Sequence, residues 1–171
     1  MPLMADHEPL RLSERAAPDA TVVGRLSMTF EARTRSRCSG FLDDGREVTI
    51  VLPRGDITRG GDKLATSDGV VVEVVAAAEP LLEVLVTDAQ MLARAAYHLG
   101  NRHVAVEVRA QGLRVAEDPV LERMLRGLGL TPTRIEAPFE PEGGAYGDRH
   151  AHGHGGDAHR LAPIIHEYRR S

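Results

Sequence analysis

The first half of the chain has the hydrophobic pattern of β-strands. Short runs of apolar and β-branched residues are separated by turn residues, and no segment keeps a helical period. Asp44-Gly45 lies between two of these runs and predicts a hairpin, because Asp-Gly readily adopts the positive φ angles of a tight turn. We therefore expect a small β-rich domain at residues 21–79, preceded by an irregular lead-in at residues 1–20.

Beyond Glu79 the pattern alternates between strands and helices. Residues 81–86 predict a strand, and Asp88 or Thr87 can cap the helix that follows. That helix should end at Gly100-Asn101, since both residues tolerate the left-handed conformation of a helix end. Its apolar positions have helical spacing and are Leu92, Ala96 and Leu99.

Three further strands and a second helix complete the pattern. Valines alternate over residues 104–108, which predicts a strand with one buried face. After a short strand at 113–116, Asp118-Pro119 predicts a helix start, with an acceptor at the cap and proline in the first turn. Residues 133–137 predict the last strand. The order β-α-β-β-α-β predicts a ferredoxin-like domain at residues 80–140 and an α+β fold class for the chain.

Composition and charge exclude several classes of protein. The chain has 171 residues, of which 42% are hydrophobic and 27% are charged, as in soluble globular proteins. A net charge of −4 argues against a non-specific nucleic-acid binder. No apolar run reaches the ~18 residues that span a bilayer, and the first residues lack the pattern of a secretory signal. We expect a cytoplasmic protein that binds neither nucleic acid nor membrane.

Histidine is concentrated near the C-terminal end. Five of the eight histidines lie in the last 22 residues, within a segment, residues 141–171, that we predict to be a His-rich flexible tail. Neutral imidazole binds divalent nickel, zinc and copper, and small neighbouring residues let several rings approach one ion. The tail is predicted either to capture metal ions loosely or to be a solvated segment without a role. The candidate ligands are His150, His152, His154 and His159.

A further histidine, His103, lies where the pattern predicts order. The sequence YHLGNRH at residues 97–103 predicts His98 in the last helical turn and His103 at the start of the next strand. Because the alternating valines occupy the core face, His103 and Glu107 should point to the opposite face of the sheet. The domain's own helices do not cover that face, so it is either exposed to solvent or covered by another protomer or domain. A two-fold dimer would put His103 beside its own copy. His103 is thus either an interface ligand or a surface histidine near a helix C-terminus.

Four separated motifs together resemble the UreE-type family of urease accessory proteins. They are DDGREVTIVLPRG at residues 43–55, RGGDKL at 59–64, YHLGNRH at 97–103 and PFEPEGGAYG at 138–147. The resemblance implies a peptide-binding-type β domain, a ferredoxin-like metal domain and a homodimer in which His103 of both protomers binds nickel. It also implies nickel delivery to apo-urease together with other accessory proteins, chiefly a GTPase.

One departure from the family concerns the residues after the GNRH motif. Some members carry further metal-binding histidines a little more than ten residues beyond it, but here residues 115–119 read VAEDP. A second interface site of that kind is therefore not expected. Glu117 and Asp118 could supply oxygen ligands, although Asp118 is fully explained as a helix cap.

Three functions follow from these observations. The first is a non-enzymatic nickel chaperone, whose metal ligands are His103 and the four tail histidines, with Zn(II) or Cu(II) as further ions in vitro. The second is a general buffer or store for nickel, copper or zinc, which needs only the tail. The third, a metal-dependent hydrolase, has the least support, because a catalytic metal usually needs three convergent protein ligands.

Residues 33–38 carry two further candidates. Arg33, Arg35 and Arg37 recur at strand spacing and are expected on one face, where they either contact an acidic partner or protect an edge strand. Cys38 is the single cysteine, which excludes an intrachain disulfide and a cysteine-only metal site in one protomer. It is more typical of a structural residue than of a soft metal ligand.

Overall fold

The computed structural model describes residues 8–143. The predicted tail, apart from residues 141–143, lies outside that range, as do the four candidate tail ligands. Within the described range, no helix is long and apolar enough to cross a membrane. The elements form two units, an N-terminal unit at residues 10–76 and a C-terminal unit at residues 78–138. Whether these are independent domains with the predicted boundaries stays a prediction.

The N-terminal unit consists of two small sheets and one short helix. The strands are β1 (Leu10–Leu12), β2 (Glu14–Arg15), β3 (Arg25–Met28), β4 (Arg37–Phe41), β5 (Glu47–Val51), β6 (Lys63–Ala65) and β7 (Val71–Ala76), and the helix is α1 (Phe30–Arg33). Strands β1-β5-β4 form one sheet and β2-β6-β7-β3 the other. Both sheets contribute to one core, in which Leu12, Val48, Leu64 and Val72 are completely buried. Burial of these aliphatic side chains holds the sheets together.

The predicted hairpin is present, and the predicted lead-in is wrong in part. Strands β4 and β5 pair antiparallel around a turn in which Gly45 has a φ of 86°. Residues 10–15, expected to be irregular, form β1 and β2. The segment Leu10-Arg11-Leu12 alternates apolar and polar residues over only three positions, so its local pattern is too short to predict a strand. Its partner is β5, paired in parallel almost forty positions later.

The C-terminal unit has the predicted ferredoxin-like topology. Its elements are β8 (Ala78–Leu85), α2 (Ala89–Gly100), β9 (Glu107–Arg109), β10 (Gly112–Ala116), α3 (Pro119–Gly127) and β11 (Thr133–Pro138). The sheet is antiparallel, in the order β11-β8-β10-β9. Asp88 and Asp118 cap the two helices by accepting hydrogen bonds from first-turn N–H groups. These caps satisfy donors that a helix start leaves without partners, so both predicted helix starts are confirmed.

The predicted strand at residues 104–108 is wrong in its position and burial. The strand β9 begins only at Glu107, which is buried, whereas Val108 is half exposed. Val108 lies opposite Leu113 on the helix-covered face, but β9 is an edge strand, so the helices do not cover it fully. Glu107 is buried because the sheet face that the helices of this unit leave uncovered is covered there by residues after β11, where the Glu140 N–H donates to the Glu107 carboxylate.

Residues 139–142, which we call the exit segment, join the two units. Phe139 is buried and packs edge-to-face on Phe30, with ring centroids 5.4 Å apart. Arg33, completely buried at the end of α1, donates to the Phe139 carbonyl and pairs with Glu140 at 2.6 Å. A charge buried in this way is tolerated because it is paired and hydrogen-bonded. The exit segment therefore belongs to the packing of both units.

Candidate metal site

His103 occupies a special backbone position directly after helix α2. Its φ is 54°, and it is the one non-glycine residue with a positive φ among residues 8–143. The His103 N–H donates to the Gly100 carbonyl at 2.9 Å, and the Val104 N–H donates to the Leu99 carbonyl at 3.4 Å. These are the two hydrogen bonds of a Schellman motif, with histidine at the left-handed position where glycine is most common.

The packing around this motif explains why the chain turns there. Leu99 is completely buried, and Val104 packs against the same hydrophobic core. The two residues are the pair whose apolar contact commonly accompanies a Schellman motif. The motif fixes the His103 backbone by hydrogen bonds, while its side chain is exposed. The predicted left-handed residue was Gly100 or Asn101 and the predicted place of His103 was a strand; both predictions are wrong.

The neighbours of His103 supply no complete metal site. Within residues 8–143, no three side chains of His, Cys, Asp or Glu are close enough to hold one ion. His98 lies in the last turn of α2, as predicted, and its ring contacts Tyr97 with centroids 5.4 Å apart. A histidine at this helix end is favoured by the helix dipole. In the described part of one protomer, His103 is therefore an exposed histidine that belongs to no group of three potential metal ligands.

The exit segment leads the chain back towards His103. The Glu142 N–H donates to the Val106 carbonyl at 2.8 Å, three positions after His103 in the sequence. Eight positions separate Glu142 from His150, and eight extended residues span at most about 26–29 Å. The four tail candidates lie outside the described residues; they are His150, His152, His154 and His159. The residue from which the tail continues, Glu142, is held beside the loop of His103 by its hydrogen bond to Val106.

Three further candidates have other roles in the structure. Asp118 caps α3, and Glu117 pairs with Arg134 at 3.1 Å, so neither carboxylate is free of a partner. Cys38 lies half-buried in β4, and burial raises the pKa of its thiol, although the charge of Arg35 opposes the rise. A thiol with a raised pKa is less often in the thiolate form that binds metals. This supports the prediction that Cys38 is structural.

Comparison with known proteins gives consistent matches. Residues 7–77 match the model of the UreE urease accessory protein N-terminal domain, and residues 79–169 match that of its C-terminal domain. A urease accessory protein UreE of Ralstonia nicotianae is 57% identical over 130 residues, which are 76% of this chain and 62% of that protein. The match thus spans less than two thirds of the length of that relative. Proteins of the same name from Burkholderia pseudomallei and Burkholderia mallei are 50% and 49% identical over 150 residues, covering 84% of this chain and 74% of each relative.

Proposed function

The chain belongs to the UreE family of urease accessory proteins, and from that premise we propose that it binds Ni(II) and delivers it to apo-urease while the urease active site is assembled. It is an accessory protein and not an enzyme. The proposed partners are a second copy of the chain, the urease apoprotein and the other accessory proteins, including the GTPase. The proposed location is the cytoplasm.

The observation that carries this proposal is the exposed His103 ligand on a fixed backbone. The Schellman motif holds the residue in place, and within the described part of one protomer His103 belongs to no group of three potential metal ligands. Such a half-site becomes useful when a two-fold axis brings two copies of His103 together.

The exit segment supports a role for the tail. Its hydrogen bond to Val106 fixes the start of the tail beside the loop of His103, and the eight positions from Glu142 to His150 span up to about 26–29 Å when extended. We propose that the tail histidines capture ions and pass them to the paired His103 site by ligand exchange. A site made of imidazoles with few anionic ligands exchanges its ion more readily than a closed thiolate site, which suits delivery.

Calorimetric titration of the full chain with Ni(II) tests the proposal. We expect one tight ion per dimer and several weaker ions. In His103→Ala the tight phase should disappear while the weaker phase remains. His98→Ala is the matched control, because it removes an imidazole from the same helix end and should leave the tight phase intact. An unchanged tight phase in His103→Ala would refute the interface site.

Truncation after Gly147 separates delivery from the alternative function, a general buffer for nickel, copper or zinc. The five C-terminal histidines support that alternative, because they need no ordered site. For a chaperone, truncation should lower the number of bound ions and spare the tight one. If truncation abolishes all binding, the buffer is the better description. Urease activation by the truncated and full-length chains then tests delivery directly.

A further inference from the structure

A groove lined by three arginines lies on the N-terminal unit, apart from the candidate metal site. Its volume is ≈ 700 Å³, and Arg35, Arg37 and Arg54 line it together with Thr34, Ser36 and Leu52. The arginines come from the loop after α1, from β4 and from the loop after β5. We call this surface the arginine groove.

The predicted row of three arginines is therefore wrong in its membership. Arg33 ends helix α1 and is buried against the exit segment, so it does not share a strand face with Arg37. Arg54, which sequence spacing does not connect with the others, takes its place. The backbone of the groove is held by a hydrogen bond from the Leu52 N–H to the Ser36 carbonyl at 2.8 Å, which links the two walls.

The charge of the groove is not neutralised from within. None of its lining residues is acidic. Within residues 8–143, neither Arg37 nor Arg54 forms an ion pair, and Arg35 pairs only with Glu31, whose side chain is 78% exposed. Exposed i,i+4 ion pairs contribute little to stability, so the Arg35 guanidinium can exchange Glu31 for a carboxylate of a ligand at small cost. Three guanidinium groups that repel one another are held together on a chain whose net charge is −4.

We infer that the arginine groove binds an acidic segment of a partner protein. Each guanidinium presents a planar pair of N–H donors that matches a carboxylate in bidentate geometry. The groove volume falls in the range of about 300–1,000 Å³ typical of sites for ligands much larger than a simple anion. Several carboxylates on one extended chain can therefore engage arginines on both walls at once.

Two observations favour a protein segment over a nucleic acid. The net charge of −4 gives the chain no general attraction to polyphosphates. The lining residues also include no aromatic ring on which a base could stack. The inference goes beyond the proposed function, because it needs no metal and concerns the other unit of the chain, so either can fail without the other.

Binding of a fluorescein-labelled hexaglutamate peptide to the full chain, followed by fluorescence anisotropy at low ionic strength without metal, tests the inference. The variant is Arg37→Glu with Arg54→Glu, which reverses two groove charges. The matched control is Arg94→Glu with Arg123→Glu, which makes the same change of net charge at exposed arginines on α2 and α3. Arg37→Gln with Arg54→Gln serves as a second groove variant if charge reversal impairs folding, as judged by circular dichroism.

We expect the groove variant to weaken peptide binding at least about tenfold, since two attractions become repulsions, and the control variant to change it less than about twofold. Added salt should weaken binding to the unmodified chain. Equal weakening in both variants would mean a general effect of net charge and would overturn the inference. Inorganic phosphate that displaces the peptide at equal concentration would also overturn it, by identifying a simple anion site. Absence of binding to the unmodified chain would do the same.

Discussion

Removal of the Glu140 carboxylate should destabilise the protein far more than removal of an ordinary surface charge. Arg33 is completely buried, and its Nη1 lies 2.6 Å from Glu140. The same carboxylate accepts hydrogen bonds from the Gly60 N–H at 2.8 Å and from Arg59 at 3.3 Å. In Glu140→Ala, the Arg33 guanidinium keeps its hydrogen bond to the Phe139 carbonyl but loses the carboxylate that balances its charge.

The size of the effect follows from the burial of the two partners. Breaking a buried ion pair by deleting one partner costs about 3–5 kcal/mol. The Glu140 side chain is 36% exposed, so water can partly replace it and the lower end of the range applies. We expect a loss of about 3 kcal/mol in the free energy of unfolding, which lowers the Tm of a chain of this size by about 6–12 °C.

Urea denaturation and thermal melting, both followed by circular dichroism, measure this loss. Glu31→Ala is the matched control, because it breaks the exposed pair between Glu31 on the same helix and Arg35 in the loop after it, and should lower the free energy of unfolding by less than about 0.5 kcal/mol. Arg33→Met combined with Glu140→Ala should be more stable than Glu140→Ala alone, since it removes the buried charge that lost its partner. The reasoning is refuted if Glu140→Ala costs no more than Glu31→Ala, or if the double variant gains nothing.

Three further predictions concern single positions. Gly112→Ala should lower the free energy of unfolding by about 3 kcal/mol or more, because a Cβ there would lie 2.0 Å from the Val84 carbonyl oxygen. A urea midpoint equal to that of the unmodified chain would contradict this. His103→Gly should raise the free energy of unfolding by up to about 1 kcal/mol, because glycine adopts a positive φ without strain. The same variant should lose the tight nickel phase. A lower free energy of unfolding would show that the imidazole supports the fold. Hydrogen bonds from Arg134, and next from Arg126, lower the pKa of Glu122 below its ordinary value of 4.5. The ionised Glu122 carboxylate therefore stabilises the fold fully above pH 4.5, and this stabilisation is lost as the pH falls through the lowered pKa. Glu122→Gln should therefore lower Tm at pH 7, and this loss of Tm should shrink as the pH is lowered below 4.5; a loss that does not change with pH would exclude an ionic cause.

The parts of the fold that depend on local signals could be predicted from the sequence. Asp88 and Asp118 cap helices, and Gly45 turns a hairpin, because each acts through backbone groups within a few residues. The order of the C-terminal elements fixes the ferredoxin-like topology, since few sheets accommodate it. Strand β1 was missed because its three residues acquire their structure from the distant strand β5.

Burial of charged residues was the feature that the sequence could not predict. Glu107 and Arg33 have no local pattern that separates them from exposed charges, and each is buried by the exit segment. The motif at residues 138–147 indicates a family, but it does not reveal that the exit segment within it, residues 139–142, packs against both units. For His103, the sequence predicted a candidate ligand near a helix end, while the Schellman geometry is evident only from the hydrogen bonds of the folded chain.

The ion pair between Arg33 and Glu140 also has a consequence for the order in which the chain folds. The two residues are 107 positions apart, so a growing polypeptide contains Arg33 long before its counter-charge is synthesised. The N-terminal unit can build its sheets as it emerges from the ribosome, but it cannot complete the packing around α1 until the last strand has followed. Contacts of such long sequence separation slow folding, and apolar surface left uncovered in the meantime favours aggregation. Folding of the N-terminal unit is therefore complete only after the exit segment has been synthesised and has packed against α1.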